Sequence, residues 1–372
     1  MSEAQPPSKH PSDAKGRPAG PKRLFMRQPN MLRMLYALCP ILIAGVYFFG
    51  WRVLAVLAVC NAAGLATELV TSRNRGVSVS IACFVTCWLF ALSLPPTAPY
   101  WLAAVGSVVA ILFGKEVFGG FGRNFANPAI VGRTFVYVAF PNEMTAAFEP
   151  VFRGFPGGFA HWSMDTMGRL PDYLAGQAGS VSDVITQATP MLARSRYGYQ
   201  TPLTDLLTGS IGGSFRGEFG PRILAAGSIG EVSAILCILA GVYLLVTRTA
   251  NWRLMVSPPA GAVAANVLFR NVLGQGDVPP LAFTLLSGAL MYGAVFMVTE
   301  PVSAPKKRPA MLIYGALIGF VMVLLRWKGQ FVGAVGFAIL LGNVVGPVID
   351  MAAEAMGKRK AAAVGGAEGK GE

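Results

Sequence analysis

Four glutamates lie inside or beside apolar blocks of this 372-residue chain: Glu68, Glu116, Glu231 and Glu300, with Asp350 at the end of a further block. A charge in hydrocarbon costs on the order of 3 kcal/mol on insertion scales, so such acids face a polar cavity or pair with a cation. Cation passage and structural pairing both stay open for each. Glu231 follows Gly227-Ser228-Ile229-Gly230 and is expected in the first turn of a helix, where the dipole favours an anion. The stretch KEVFGGFGRNFANP at 115–128 offers Gly119, Gly120, Arg123, Asn124 and Asn127. Glycines let backbone approach a ligand closely or break a helix at membrane depth. Asn, Arg and backbone N–H groups can then bind an anionic or heteroaromatic group; a re-entrant packing corner would use the same residues. The run Asp183-Val184-Ile185-Thr186-Gln187-Ala188-Thr189-Pro190-Met191 is polar and turn-prone, and by itself reads as an ordinary loop.

The elements that must position these residues follow from composition. Hydrophobic residues make up 53% of the chain and charged residues 13%, about half the usual charged share of a soluble domain. The apolar blocks are long enough to span, since a bilayer core needs roughly 20 residues as a helix. The pattern predicts an all-α polytopic membrane protein with ten spans near 31–49, 52–71, 77–94, 98–114, 126–140, 229–247, 254–271, 281–299, 309–326 and 331–350. Residues 1–30 read as a disordered tail and 351–372 as a second polar tail. With both termini cytoplasmic, Arg73, Arg75, Lys115, Arg123, Arg248, Arg253, Lys306 and Lys307 fall inside, whereas Arg52, Arg326 and Lys328 fall in outer loops, a positive-inside distribution. The +13 net charge is thereby assigned to topology and lipid headgroups rather than nucleic acid. The five cysteines lie in apolar blocks and form no CxxC pair, and the only histidines are His10 and His161, so no haem, zinc or other metal site is expected. A long segment, 141–228, separates two sets of five spans (31–140 and 229–350). It is expected to be ordered and extracytoplasmic, and an odd count per half implies two inverted five-helix repeats.

Several of these motifs, in order, carry a family resemblance. KEVFGGFGRNFANPAIVGR (115–133), GSIGEVS (227–233), ANWR (250–253), VTEPVSA (298–304) and Leu94-Pro95-Pro96-Thr97 resemble the B-type membrane subunit of the sodium-translocating NADH:quinone reductases and, by extension, the D-type subunit of the related Rnf complexes. The resemblance runs from about residue 31 to 350. It implies ten transmembrane helices in two inverted repeats in a bacterial inner membrane. It also implies FMN joined through its phosphate to a threonine in a D-x-x-[ST]-G-A-T motif by a separate flavin transferase. Asp183, Thr186, Ala188 and Thr189 match that motif, with Gln187 in place of its glycine, which makes Thr189 the implied attachment site. A noncovalent riboflavin, ubiquinone as substrate, Na⁺ as cargo and partner subunits are implied as well. Glu68 and Gly64 match residues that the family links to the ion and quinone regions, with Leu65 where a second glycine is expected. Glu300 stands where the reductase protein has Asp before Pro-Val-Ser. A non-redox channel of the urea or ammonium type is the alternative class, distinguished by the absence of flavin.

Overall fold

The computed structural model describes residues 25–145, 147–167, 174, 189–217, 220–329 and 333–368. In chain order these form α1 (Pro29–Phe49), α2 (Arg52–Arg75), α3 (Ala82–Leu92), α4 (Tyr100–Ile111) running on as a π turn over Leu112–Glu116, and α5 (Pro128–Ala139). The long connection holds α6 (Pro141–Thr145), α7 (Pro190–Tyr197), α8 (Leu203–Thr208) and an antiparallel hairpin of β1 (Ser214–Gly217) and β2 (Gly220–Ile223). Then follow α9 (Ala234–Val246), α10 (Trp252–Asn266) with a π turn Val267–Val272, α11 (Leu281–Leu286), α12 (Leu290–Tyr292) with a π turn Gly293–Met297, α13 (Arg308–Lys328) and α14 (Ala334–Glu368). Four helices are long and apolar enough to cross a bilayer: α1, α2, α13 and the part of α14 up to Lys358. The chain is a multi-pass membrane protein.

Each apolar block of the sequence contains helix, but two are not single rods. The block at 77–94 is helical only from Ala82, because its first residues are held extended. Met26 N–H donates to Val79 O (2.9 Å), and Ser80 N–H is captured by the Glu68 carboxylate (2.8 Å). The block at 281–299 breaks at Ser287-Gly288, where Gly288 has φ +64°. The tails also differ from expectation. Residues 25–28 pack on α3, with Gln28 Oε1 accepting from Ala82 N–H at 3.1 Å, and α14 continues well past 350.

The long connection is ordered over its described part and is tied to the α1–α2 end of the bundle. Trp51 N–H donates to His161 O, Arg52 N–H to Trp162 O and Phe152 N–H to Phe48 O. At the other side of the molecule α10 and α13 meet backbone to backbone. A β-carbon on Gly319 would strike Pro258 O, and one on Gly261 would strike Ala316 O. Small residues at a membrane helix interface allow this close approach. Gly319→Leu is therefore expected to lower stability by about 1–3 kcal/mol through overpacking, read as a lower unfolding midpoint in detergent micelles. Gly357→Ala, where the added carbon meets nothing, should not lower it.

Candidate functional site

The π turn after α4 brings two consecutive side chains inward, Lys115 and Glu116, both buried. A π turn inserts one extra residue and so re-aims the side chains beyond it. Lys115 Nζ pairs with Glu68 Oε2 and donates to Ser80 Oγ at 3.0 Å. It also lies 3.6 Å from Glu116 Oε1. Ser80 donates to Glu68 Oε1 twice, from N–H at 2.8 Å and from Oγ at 2.7 Å. Glu116 pairs in turn with Arg75 at the end of α2. Gly120 makes this last pair possible: it has φ +95°, and a β-carbon there would sit 3.1 Å from the Arg75 guanidinium. Glu68, Glu116, Lys115 and Arg75 thus form one closed network of two acids and two bases. Of the two alternatives the sequence leaves open, cation passage or structural pairing, Glu68 and Glu116 show pairing, with Lys115 and Arg75, which the sequence also reads as topology markers.

Gly64, one turn before Glu68 on α2, faces α3: a β-carbon there would strike Cys87 Sγ. Asn124 closes a local turn onto Ala126 O (3.1 Å), and Arg123 is exposed. Asn127 is the N-cap of α5, its Oδ1 accepting from Ala129 N–H at 3.0 Å. Its Nδ2 donates to Met297 O (3.0 Å), and its N–H donates to Asn343 Oδ1 (3.1 Å). Asn343 donates onward to Tyr314 Oη at 2.6 Å. The glycine-rich stretch therefore brings together the packing corner and the network; the polar atoms of Asn127 are spent on protein.

Asn127 with Met297 is one crossing between the halves of the chain, and a second lies at the end of α3. Ile229 N–H donates to Leu94 O (3.1 Å) and Gly230 N–H to Leu92 O (2.6 Å), so the GSIGEVS loop docks on the end of α3. Glu231 belongs to that turn and precedes α9, whose N-cap is Ser233. This corrects the expectation of a first-turn position: its Oε1 accepts from Ser228 N–H at 2.8 Å and closes the turn on itself. Buried Arg133 of α5 reaches Ser228 Oγ at 3.3 Å. Glu300 likewise closes its own turn, accepting from Ser303 N–H at 2.7 Å and Val302 N–H at 3.3 Å. The four acids are not assembled into one line: Glu68 and Glu116 share a network, and Glu231 and Glu300 each cap a turn.

Thr189 is the N-cap of α7, its Oγ1 accepting from Leu192 N–H at a long 3.5 Å. Asp183, Thr186 and Ala188 lie outside the described residues. Beside α7 is a cavity of about 410 Å³ lined by Met191, Arg194, Ser195, Asp277, Arg326 and Trp327 among others. Arg326, assigned to an outer loop by the sequence, is buried, with Nη1 donating to Thr284 O (3.3 Å) and Nε unpartnered. Thr189 is itself buried. Pro190 brings no N–H and Leu192 N–H is taken by Thr189 Oγ1, so an anionic ester there would meet the Met191 N–H and the positive end of the α7 dipole.

Sequence reasoning missed Ser80, Arg133, Tyr314 and Asn343, since a lone polar residue in an apolar block carries no partner information. The network itself is testable. Lys115→Met leaves Glu68 buried without its cation and is expected to destabilise by about 3–5 kcal/mol, with much of the loss recovered in Lys115→Met/Glu68→Gln. Equilibrium unfolding of the four chains of that mutant cycle measures it.

Comparison with known proteins places this arrangement. The family model described as the NQR2, RnfD, RnfE family matches residues 26–357. The chain is 33% identical over 338 residues to the D-type subunit of the ion-translocating oxidoreductase complex of Stutzerimonas stutzeri, covering 86% of this chain and 88% of that protein. It is 34% identical over 334 residues to the corresponding protein of Pectobacterium carotovorum, covering 87% and 92%. Against the B-type subunit of the Na(+)-translocating NADH-quinone reductase of Pseudomonas aeruginosa it is 33% identical over 289 residues, covering 76% of this chain and 62% of that protein. The family match begins just before α1 and ends in α14, taking in both crossings, the charge network and α7: the chain belongs to the NQR2, RnfD, RnfE family.

Proposed function

We propose that this chain is the flavin-bearing membrane subunit of an ion-translocating oxidoreductase complex. It relays electrons through FMN on Thr189 and a noncovalent riboflavin toward an acceptor such as ubiquinone, coupled to movement of Na⁺. The observation that carries the reading is Thr189 itself: the threonine that matches the flavinylation motif is the N-cap of α7, a helix whose later residues, Met191 to Gly198, line a cavity with Arg326. FMN, when bound, supplies the redox chemistry. The chain's part is to hold the phosphate ester, with Thr189 as its attachment point and the N-terminal end of the α7 dipole as its counter-charge. A separate flavin transferase makes the bond, and partner subunits supply the rest of the relay.

The carboxylates serve the cation. Glu68 has both oxygens engaged, so a cation reaching it takes the place of the Lys115 ammonium. The two crossings, α3 with the GSIGEVS loop and the π turn after α12 with Asn127, support two inverted repeats (31–140 and 229–350) that meet at mid-bundle. In this reading the connection 141–228 faces outward from a bacterial inner membrane, and both termini are cytoplasmic.

Two complexes fit. KEVFGGFGRNFANP and ANWR support the sodium-translocating NADH:quinone reductase type. The near-complete coverage of the D-type relatives favours the Rnf type. The partner subunits that co-purify separate the two. The core of the reading is tested by flavin fluorescence in a denaturing gel. Wild-type chain co-expressed with its flavin transferase should fluoresce, and Thr189→Ala should be dark. A dark wild-type band sinks the reading, whereas a fluorescent Thr189→Ala moves the attachment site elsewhere.

A further inference from the structure

A second buried charge cluster lies at the opposite end of α2 from Glu68, sixteen residues or about 24 Å away along the helix. Glu149 is fully buried. Its Oε1 accepts from Asp165 N–H at 3.0 Å, and its main-chain carbonyl accepts from Ala226 N–H at 2.7 Å. The Ser163 hydroxyl faces the carboxyl but without good hydrogen-bond geometry, which leaves Glu149 Oε2, Ser163 Oγ, Asp165 Oδ1 and Arg52 Nε without a well-formed bond. Among the described residues nine buried side-chain polar atoms are left so, and four of them belong to this one cluster. The opposite charge here is Arg52, 3.1 Å from Asp165 Oδ2 and anchored on the carbonyls of Thr97 and Ala98.

We propose that Glu149, Ser163 and Asp165, with Arg52 as a fixed counter-charge, form a site for one exchangeable univalent cation, a proton or an alkali-metal ion. Two carboxylates and one guanidinium leave one negative charge uncompensated. Asp165 and Arg52 are the charged groups that face Glu149. A water molecule would satisfy the hydrogen bonds of the four orphaned atoms but not the charge, and an uncompensated buried charge is far more costly than an unmade hydrogen bond. The three free oxygens are hard ligands of the kind that alkali and alkaline-earth ions take. One net negative charge matches one univalent ion. Exchange has a route: the side chains of Arg52 and Asp165 are 15% and 21% exposed, whereas Glu149 behind them is sealed. Burial, with Asp165 nearby, pushes the Glu149 carboxyl up to about 8. The proton therefore holds the site at neutral pH, and a metal ion competes as pH rises through that value. This binding claim rests on neither the flavin nor the electron route proposed above.

Thermal unfolding of the full chain in detergent tests it, at about pH 6 and about pH 10, in NaCl, KCl and choline chloride of equal ionic strength. If an alkali ion binds, Na⁺ or K⁺ raises the midpoint at the high pH only. Glu149→Gln abolishes that rise, and Ser163→Ala increases the half-saturating salt concentration several-fold. If the proton is the sole occupant, the salts act alike, and the infrared band of a protonated carboxyl disappears near pH 8 in wild type and is missing in Glu149→Gln. Ser163→Ala shifts that titration, which keeps the test open should Glu149→Gln not fold. If the salts act alike and no carboxyl titrates near pH 8, the proposal is overturned.

Discussion

An ammonium and a carboxylate withdrawn from water together cost several kcal/mol each in lost hydration, and they repay it only when every remaining hydrogen-bonding position is filled. Lys115 and Glu68 meet that condition through Ser80, and the surrounding backbone is shaped to let them. The π turn after α4 re-aims Lys115 and Glu116. The extended start of the third apolar block frees the Ser80 N–H for Glu68, and that same extended strand pairs Val79 with the segment before α1. The left-handed glycine at 120 leaves room for Arg75 to close the network on Glu116. Four elements are thus set by one requirement for charge balance.

Away from the network, the bundle is held by backbone groups that have lost their own helical partners. Where α3 ends, its carbonyls accept from Ile229 and Gly230; where the π turn after α12 ends, Met297 O accepts from the Asn127 side chain. Interrupted helices are tolerated in a membrane only where the freed groups find partners within the protein. These two ends are covered by residues from the other half of the chain, which ties the halves together.

Much of this was legible in the sequence, and the reasons are physical. Apolar block length reports helices directly, so all the described helices from α1 to α5 and from α9 to α14 fall on expected blocks. The breaks at 77–81 and 287–289 were not legible, because each depends on a distant partner rather than on local propensity. Glu68 and Glu116 stood out as acids in apolar surroundings, but their pairing with Lys115 and Arg75 required the turn geometry of 112–120. Arg326 reads as a loop cation next to Trp327 and Lys328, and only the packing of α7 and the break at Gly288 against it shows that it is buried. For Glu149, the sequence context Phe-Glu-Pro in a long connection gives no sign of a charge cluster, since its neighbours come from residue 52 and from 163–165.

The Glu68–Lys115 pair also constrains how the protein is made. The two residues are 47 positions apart in the chain. At about 5–20 residues per second the ribosome delivers Lys115 roughly two to nine seconds after Glu68. Ser80 follows Glu68 by only 12 residues, so for most of that interval α2 carries an acid whose hydroxyl partner has been made but whose ammonium has not. The α1–α2 hairpin therefore enters the bilayer with Glu68 protonated or waits at the insertion machinery, and it becomes a stable membrane hairpin only when the end of α4 arrives. The distance along the message between one codon for glutamate and one for lysine sets how long that charge goes without its partner.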